Sequence, residues 1–196
     1  MAERGPAPPD TPRQPRLARH PLVWIAVIAL APIVASYSVY YFFPRTPSVN
    51  YGTLLPTAPL PGVEGTRADG SPFRLDELRG RWVLLALGDG ECDKGCERRL
   101  YATRQARTMQ GKDQERITRV FLVAGAPGPS PALVAKHPGL VVAHVANTVA
   151  AKFPAGTSSL YVIDPLGNLV LSYPADPDIQ GIAKDLTRLL KASQIG

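Results

Sequence analysis

Two cysteines are the residues of this chain best suited to chemistry. Cys92 and Cys96 are the only cysteines in the 196 residues, and three residues separate them. They follow an apolar run and open a predicted helix, where backbone N–H groups and the helix dipole stabilise a thiolate. A thiolate attacks disulfides and binds soft metals, so the pair can exchange disulfides or supply two ligands to Cu(I). An inert structural disulfide is the third interpretation of this spacing.

The first fifty residues predict a membrane anchor. The run Leu22–Phe43 contains no charged residue, and a helix of that length rises roughly 33 Å, enough to cross a hydrocarbon layer about 30 Å thick. Four arginines precede the run and only Arg45 follows it closely, so the positive-inside rule places the N-terminus in the cytoplasm. We therefore predict a single-pass inner (plasma) membrane protein, with a basic cytoplasmic tail at 1–20, a transmembrane helix at 21–43 and a periplasmic C-terminal domain.

The composition of the chain excludes a nucleic-acid partner and divides the residues after the anchor into a linker and one domain. About half of the net charge of +6 comes from the tail, and the other basic residues are spread along the chain. A nucleic-acid binder would collect them in one patch, so we expect no nucleic-acid partner. The segment 44–61 is rich in Pro and Thr and predicts an extended linker. The remaining 62–196 have the length of one domain.

The apolar pattern of this domain alternates between strands and helices. Trp82–Leu87 is a continuous apolar run, which predicts a central strand buried on both faces. The other predicted elements are a helix at Glu97–Gln110, strands at Ile117–Val123 and, at an edge, Leu140–Val145, and a hairpin of Leu160–Ile163 with Leu169–Leu171. This order is typical of an α/β thioredoxin-like sandwich with a mixed central sheet.

A final amphipathic helix is predicted after Asp178, which can cap it. Its apolar residues recur every three or four positions, so one face should pack on the sheet. Asp185 and Arg188 fall on the opposite face, which we expect to be exposed.

About two thirds of the chain resembles the Sco/SenC family, whose members are membrane-anchored thioredoxin-fold proteins that help assemble the dinuclear copper site of cytochrome oxidase. The matching features are the N-terminal anchor, the strand Trp82–Leu87, the loop Gly88–Cys96 with its C-x3-C motif, and the late strand and turn Leu160–Gly167.

The resemblance implies both a site and partners. It implies that Cys92 and Cys96 are redox-active and can bind copper. It also implies that the chain acts at the membrane on a cytochrome c oxidase subunit or on another copper/thiol assembly protein.

The chain departs from the family pattern at the site. Asp93 and Glu97 replace the prolines that usually follow each cysteine. The family's third copper ligand, a histidine, would fall at Gly156, so the expected ligand is absent. His144 and His137 are the candidate substitutes, although neither has the family's placement.

Two functions of different class remain open. The first is thiol–disulfide exchange or transient Cu(I) handling in oxidase assembly, with Cys92 as attacking thiol and Cys96 as resolving thiol or second ligand. The second is a non-catalytic assembly or scaffold protein that retains the fold but not copper binding. The cis-proline that thioredoxin-type reductases place opposite their cysteines would fall near Ser158, so a general disulfide reductase also matches imperfectly.

Overall fold

The computed structural model describes residues 20–42, 50–60, 62–156 and 158–193. The chain divides into two compact units, Met1–Pro47 and Ser48–Gly196. The predicted tail at 1–20, except for His20, and the first part of the predicted linker, 44–49, lie outside the described residues.

The first unit contains helix α1 (His20–Phe42), which has 23 residues and includes Pro32. Its described side chains are exposed. The rings of Tyr37 and Tyr41 stack, with centroids 6.4 Å apart. Within the part of the chain that the structure describes, no helix is both long and apolar enough to cross a membrane.

The second unit is built on one mixed sheet of eight strands in the order β1-β8-β7-β4-β5-β6-β2-β3. Strands β4, β5 and β6 are mutually parallel and the other pairs are antiparallel. The strands are β1 (Thr53–Pro59), β2 (Glu64–Arg67), β3 (Pro72–Arg74), β4 (Trp82–Asp89), β5 (Ile117–Ala124), β6 (Leu140–Val145), β7 (Leu160–Ile163) and β8 (Asn168–Tyr173). The helices are α2 (Lys94–Thr108), α3 (Pro131–Ala135), α4 (Asn147–Ala150) and α5 (Ile179–Ala192), with 3-10 turns at Leu75–Leu78 and Gly111–Arg116.

Strand β4 lies in the middle of the sheet because it is apolar on both faces, as predicted. Its alternating side chains enter two separate cores, and all of them except that of Asp89 are buried. Leu84 packs with Leu100 and Leu186 of the α2 and α5 layer. Leu85 packs on the opposite face, in a core that includes Phe73. The sheet is therefore covered on both sides and β4 is fixed between them.

The predicted hairpin is confirmed as β7 and β8. The Asp164 carboxylate closes its turn by accepting hydrogen bonds from the backbone N–H groups of Leu166 at 2.9 Å and Asn168 at 2.8 Å. Gly167 has a φ of +91°, a conformation that is unfavourable for residues with a Cβ.

Two predictions about the sheet are wrong. Part of the predicted linker 44–61 is strand β1, which pairs with β8 through Thr53 opposite Ser172 and Leu54 opposite Leu171. The predicted edge strand β6 is internal, because β2 pairs with its outer side through Thr66 opposite His144. Both strands acquire their neighbours from distant parts of the chain, which local composition does not reveal.

Asp185 is also placed differently from the prediction, since its side chain is 0 % exposed. Its carboxylate accepts hydrogen bonds from the backbone N–H groups of Tyr51 at 3.1 Å and Gly52 at 2.8 Å, and from the Tyr173 hydroxyl at 3.3 Å. Burial and the neighbouring carboxylate raise the pKa of Tyr173, so this hydroxyl keeps its proton and donates. Asp185 thus fastens the start of β1 to helix α5.

We expect Asp185→Ala to lower the free energy of unfolding by about 3–5 kcal/mol, because the buried donors at Gly52 and Tyr173 and the partly buried donor at Tyr51 would lose their acceptor. The measurement is denaturant unfolding of the full chain in mild detergent, followed by circular dichroism. Asp176→Ala is the control, since that carboxylate is 78 % exposed and should change stability by less than about 1 kcal/mol. Equal losses in the two variants would contradict a special role for Asp185.

Candidate functional site

The cysteine pair lies between the carboxyl end of β4 and the first turn of α2. Cys92 precedes the helix, Cys96 is in its first turn, and the two form a disulfide with their Cα atoms 5.1 Å apart. Cys96 is only 2 % exposed, whereas Cys92 is partly exposed. The two sulfurs therefore differ in their access to a partner molecule.

Asp93 caps helix α2 between the two cysteines. Its carboxylate oxygen Oδ1 accepts a hydrogen bond from the Cys96 backbone N–H at 2.7 Å. Sequence analysis expected unpaired N–H groups to stabilise a thiolate at this helix start. The structure corrects that expectation at Cys96, because the capping carboxylate already occupies its N–H.

One buried cation accompanies the acidic residues of this loop. Arg99 on α2 is 5 % exposed, and its Nη1 donates to the Ala175 carbonyl at 3.4 Å. Burial lowers the pKa of Arg99, while the charges of Asp93 and Asp89 oppose that change. The positive charge of Arg99 partly balances the carboxylates around the cysteine loop.

Glycines allow the cysteine loop to pack closely against its neighbours. A Cβ at Gly88 would lie 2.9 Å from the Phe121 ring and 3.9 Å from the Cys96 sulfur. A Cβ at Gly90 would overlap the Pro127 carbonyl oxygen. The peptide bond between Ala126 and Pro127 is cis. The described cis-proline thus lies in the loop after β5, and not near Ser158, where the pattern of thioredoxin-type reductases would place one.

Gly156 occupies the position that the family pattern gives to the third copper ligand. Gly156 lies in the turn before β7, and β7 pairs antiparallel with β4. The Leu87 N–H donates to the Ser159 carbonyl at 3.2 Å, so this turn lies at the same end of the sheet as the cysteines. Glycine has no side chain and therefore supplies no side-chain ligand there.

Sequence analysis missed an open groove of about 610 Å³ at this end of the sheet. The Ala175 carbonyl on its rim accepts the hydrogen bond from Arg99, which places the groove beside α2. Its signal in the sequence is weak, because its lining comes from three separate segments of the chain. The lining residues are Tyr51, Thr53, Ala155, Ser158, Ser159, Ser172, Tyr173, Pro174 and Ala175.

His144 is separated from the cysteines by the width of two strand spacings. The register places Gly88 opposite Val123, and Val123 opposite His144, so about 10 Å of sheet lies between β4 and β6. Gly128 lies directly against the His144 ring. Among the described residues, no group of three or more His, Cys, Asp and Glu side chains is arranged to hold a metal ion. The residues therefore do not fit a three-ligand copper site.

His137, the other substitute considered, is buried in the turn before β6 and is 5 % exposed. Burial lowers its pKa, and the positive charges of Arg119, Arg104 and Lys136 lower it further, whereas Glu97 opposes them. A cation would meet the same repulsion, so this environment disfavours a metal at His137.

Comparison with known proteins supports the fold. Residues 82–193, more than half of the chain, match a family model described as "Transmembrane-like, thioredoxin-like, C-terminal domain". No curated protein matches the chain.

The solved structures that are similar to this chain include the following three. Apo Sco1 from Thermus thermophilus is 24% identical with a TM-score of 0.61, and the match covers 74% of this chain and 99% of that one. Copper-bound ScoI from Arabidopsis thaliana is 16% identical with a TM-score of 0.56, covering 72% and 99%. A putative protein disulfide isomerase from Bacteroides thetaiotaomicron is 17% identical with a TM-score of 0.52, covering 74% and 92%. The predicted likeness to Sco proteins and the predicted thioredoxin-like fold are therefore confirmed as a shared fold.

The environment of His137 predicts a pH dependence of stability. Its pKa is lowered below 6.5 in the folded chain, so the unfolded chain takes up this proton at a higher pH than the folded chain. The contribution to stability is complete above about pH 6.5 and is lost as the pH falls from there through the lowered pKa.

Denaturant unfolding of the full chain between about pH 7 and pH 5 tests this dependence. We expect His137→Gln to reduce the slope of the free energy of unfolding against pH. His144→Gln, which removes a different imidazole, is the matched control and should reduce the slope less. A slope unchanged by His137→Gln would contradict the assignment.

Proposed function

Because this chain belongs to the transmembrane-like, thioredoxin-like C-terminal domain family, we propose that it is a membrane-anchored thiol–disulfide exchange protein. The observation that carries the proposal is the asymmetry of the cysteine pair. Cys92 is partly exposed and can meet a substrate sulfur, while Cys96 is 2 % exposed and can meet only Cys92. Disulfide exchange needs one accessible attacking thiol and one resolving thiol beside it.

The exchange proceeds in two steps from the reduced pair. The Cys92 thiolate attacks one sulfur of a substrate disulfide, forms a mixed disulfide and releases the other substrate sulfur as a thiolate. The Cys96 thiolate then attacks the Cys92 sulfur, which forms the Cys92–Cys96 disulfide and releases the reduced substrate. Two electrons pass from the pair to the substrate, and a thiol reductant returns the pair to the dithiol. The same steps in reverse oxidise a substrate dithiol.

Attachment to the inner membrane is part of the proposal. It is supported by the uncharged run Leu22–Phe43 and the arginines before it. This part of the proposal also uses the sequence of residues that the structure does not describe, namely Phe43 and the arginines before Leu22. The positive-inside rule then gives a cytoplasmic N-terminus and a periplasmic thioredoxin-like domain. An oxidising periplasm is compatible with the Cys92–Cys96 disulfide.

We further propose that the substrate is a cytochrome c oxidase subunit or another copper/thiol assembly protein. The support is the resemblance to the Sco/SenC family together with the Sco fold of the similar structures. Thiol exchange is favoured over copper storage, because the third-ligand position is Gly156 and His144 lies two strands from the cysteines.

A non-catalytic scaffold is the second candidate, and the missing third ligand at Gly156 favours it. The two candidates differ in what a cysteine-free chain does in cells. Replacement of the chromosomal copy by a Cys92→Ser, Cys96→Ser chain should impair oxidase assembly if exchange is the function. Normal oxidase assembly with that chain would favour the scaffold.

Single cysteine variants test the assigned roles directly. We expect Cys96→Ser, which keeps the partly exposed Cys92, to form a mixed disulfide with oxidised glutathione at least about tenfold faster than Cys92→Ser, which keeps the buried Cys96. Mass spectrometry of the full chain after timed quenching measures both rates. Equal rates, or the faster rate for Cys92→Ser, would contradict the assignment.

Copper titration separates thiol exchange from metal carriage. We expect the reduced full chain to bind Cu(I) weakly against a competing chelator, since two thiolates without a third ligand form a labile site. His144→Gln should leave this binding unchanged, and Cys92→Ser with Cys96→Ser should abolish it. A loss of affinity of tenfold or more in His144→Gln would identify His144 as a ligand and contradict the separation described above.

A further inference from the structure

Three arginines meet on the α2 side of the sheet, away from the cysteines. Arg104 and Arg107 extend from α2, and Arg119 lies on β5. Each donates to a single backbone carbonyl: Arg104 Nη1 to Lys136 at 3.0 Å, Arg107 Nε to Ile117 at 2.8 Å, and Arg119 Nη2 to Pro138. We call these arginines and His137, in the adjoining turn, the basic cluster.

The innermost members of the basic cluster have polar atoms without partners. Arg119 is 3 % exposed and His137 is 5 % exposed. Neither Arg119 Nη1 nor His137 Nδ1 has a hydrogen-bond partner, and they are two of the three such buried side-chain atoms among the described residues. Buried donors and acceptors are normally satisfied, so two unsatisfied atoms in one cluster require an explanation.

Among the described residues, no carboxylate forms an ion pair with an arginine of the basic cluster. The ion pairs found among the described residues use six other arginines, and none includes Arg104, Arg107 or Arg119. Burial lowers the pKa of Arg119 to about 10, and the charges of Arg107 and Arg104 act in the same direction. Glu97 is the carboxylate that acts on His137, where it only partly opposes the positive charges. A buried guanidinium without a counter-charge is unfavourable.

The exposure of the three arginines decreases from the protein surface towards β5. Arg104 is exposed, Arg107 is half-buried and Arg119 is buried. Arg104 is an exposed side chain with one described hydrogen bond, so it can change its conformation to contact a ligand. The planar fork of guanidinium donors matches the oxygen geometry of phosphate.

We propose that the basic cluster is a binding site for a phosphate-type oxyanion. The ligand accepts hydrogen bonds from Arg104, Arg107 and Arg119 Nη1, and from His137 in the tautomer that carries its proton on Nδ1. The same chemistry is offered by free inorganic phosphate and by the phosphate of an anionic lipid headgroup. This proposal is independent of the cysteine chemistry.

Thermal unfolding of the full chain in mild detergent tests the site, with inorganic phosphate compared with chloride at equal ionic strength. We expect a saturable rise of Tm with phosphate, since a ligand that binds only the folded chain stabilises it. The double variant Arg104→Gln, Arg107→Gln should raise the Kd for phosphate about tenfold or more. It alters an exposed and a half-buried side chain, so the fold should persist. Arg119→Met is a second variant. It removes the buried charge and should abolish the rise of Tm with phosphate.

The matched control is the double variant Arg74→Gln, Arg79→Gln, which removes the same charge from exposed sites and should keep the phosphate effect. No rise of Tm in the parent chain with either inorganic phosphate or phosphatidylglycerol, or an equal loss in the control variant, would overturn the proposal. Detergent micelles with phosphatidylglycerol and no added phosphate distinguish the source. A rise there, absent with phosphatidylcholine, assigns a lipid headgroup, whereas a rise with inorganic phosphate alone assigns a free oxyanion.

Discussion

The burial of β4 on both faces is the constraint on which the rest of this domain depends. A strand with apolar side chains on alternating sides must be covered twice, and here the α2 and α5 layer covers one side while the core around Phe73 covers the other. The parallel pairing of β4 with β5 fixes the carboxyl end of β4 in the sheet. The cysteine loop begins at that end, so its position follows from the core and not from the cysteines themselves.

The arrangement around the disulfide combines a rigid helix start with unequal access to the two sulfurs. Asp93 holds the first turn of α2 by accepting the Cys96 N–H, and Cys96 is buried against the sheet near Gly88. Cys92 is partly exposed. The pair therefore has an outer and an inner sulfur, which is the property that disulfide exchange uses. The neighbouring turn at Gly156 contributes no ligand, so the same geometry supports sulfur chemistry better than metal storage.

Asp185 and Arg119 are both buried charged residues, but they differ in how far the chain compensates their charge. Asp185 is surrounded by donors from the start of β1, from β8 and from its own helix, so its burial is compensated within the chain. Arg119 has one backbone carbonyl as its described partner, and its nearest charged neighbours are also positive. The first charge fastens two distant segments together. The charge of Arg119 is not balanced by a carboxylate among the described residues, and we therefore assign that role to a ligand.

The sequence by itself determined the thioredoxin-like order of elements, the central strand, the late hairpin and the cysteine pair at a helix start. These features depend on local patterns: a doubly apolar run, a turn built on Asp164 and Gly167, and a capping residue before Ile179. Tertiary structure alone decided that β1 arises from the predicted linker, that β6 is internal and that Asp185 is buried. It also decided that Cys92 and Cys96 differ in exposure and that His144 lies two strands away. Each of these depends on partners more than twenty residues away or on which side of a sheet is covered, and such contacts leave no periodic pattern in the chain.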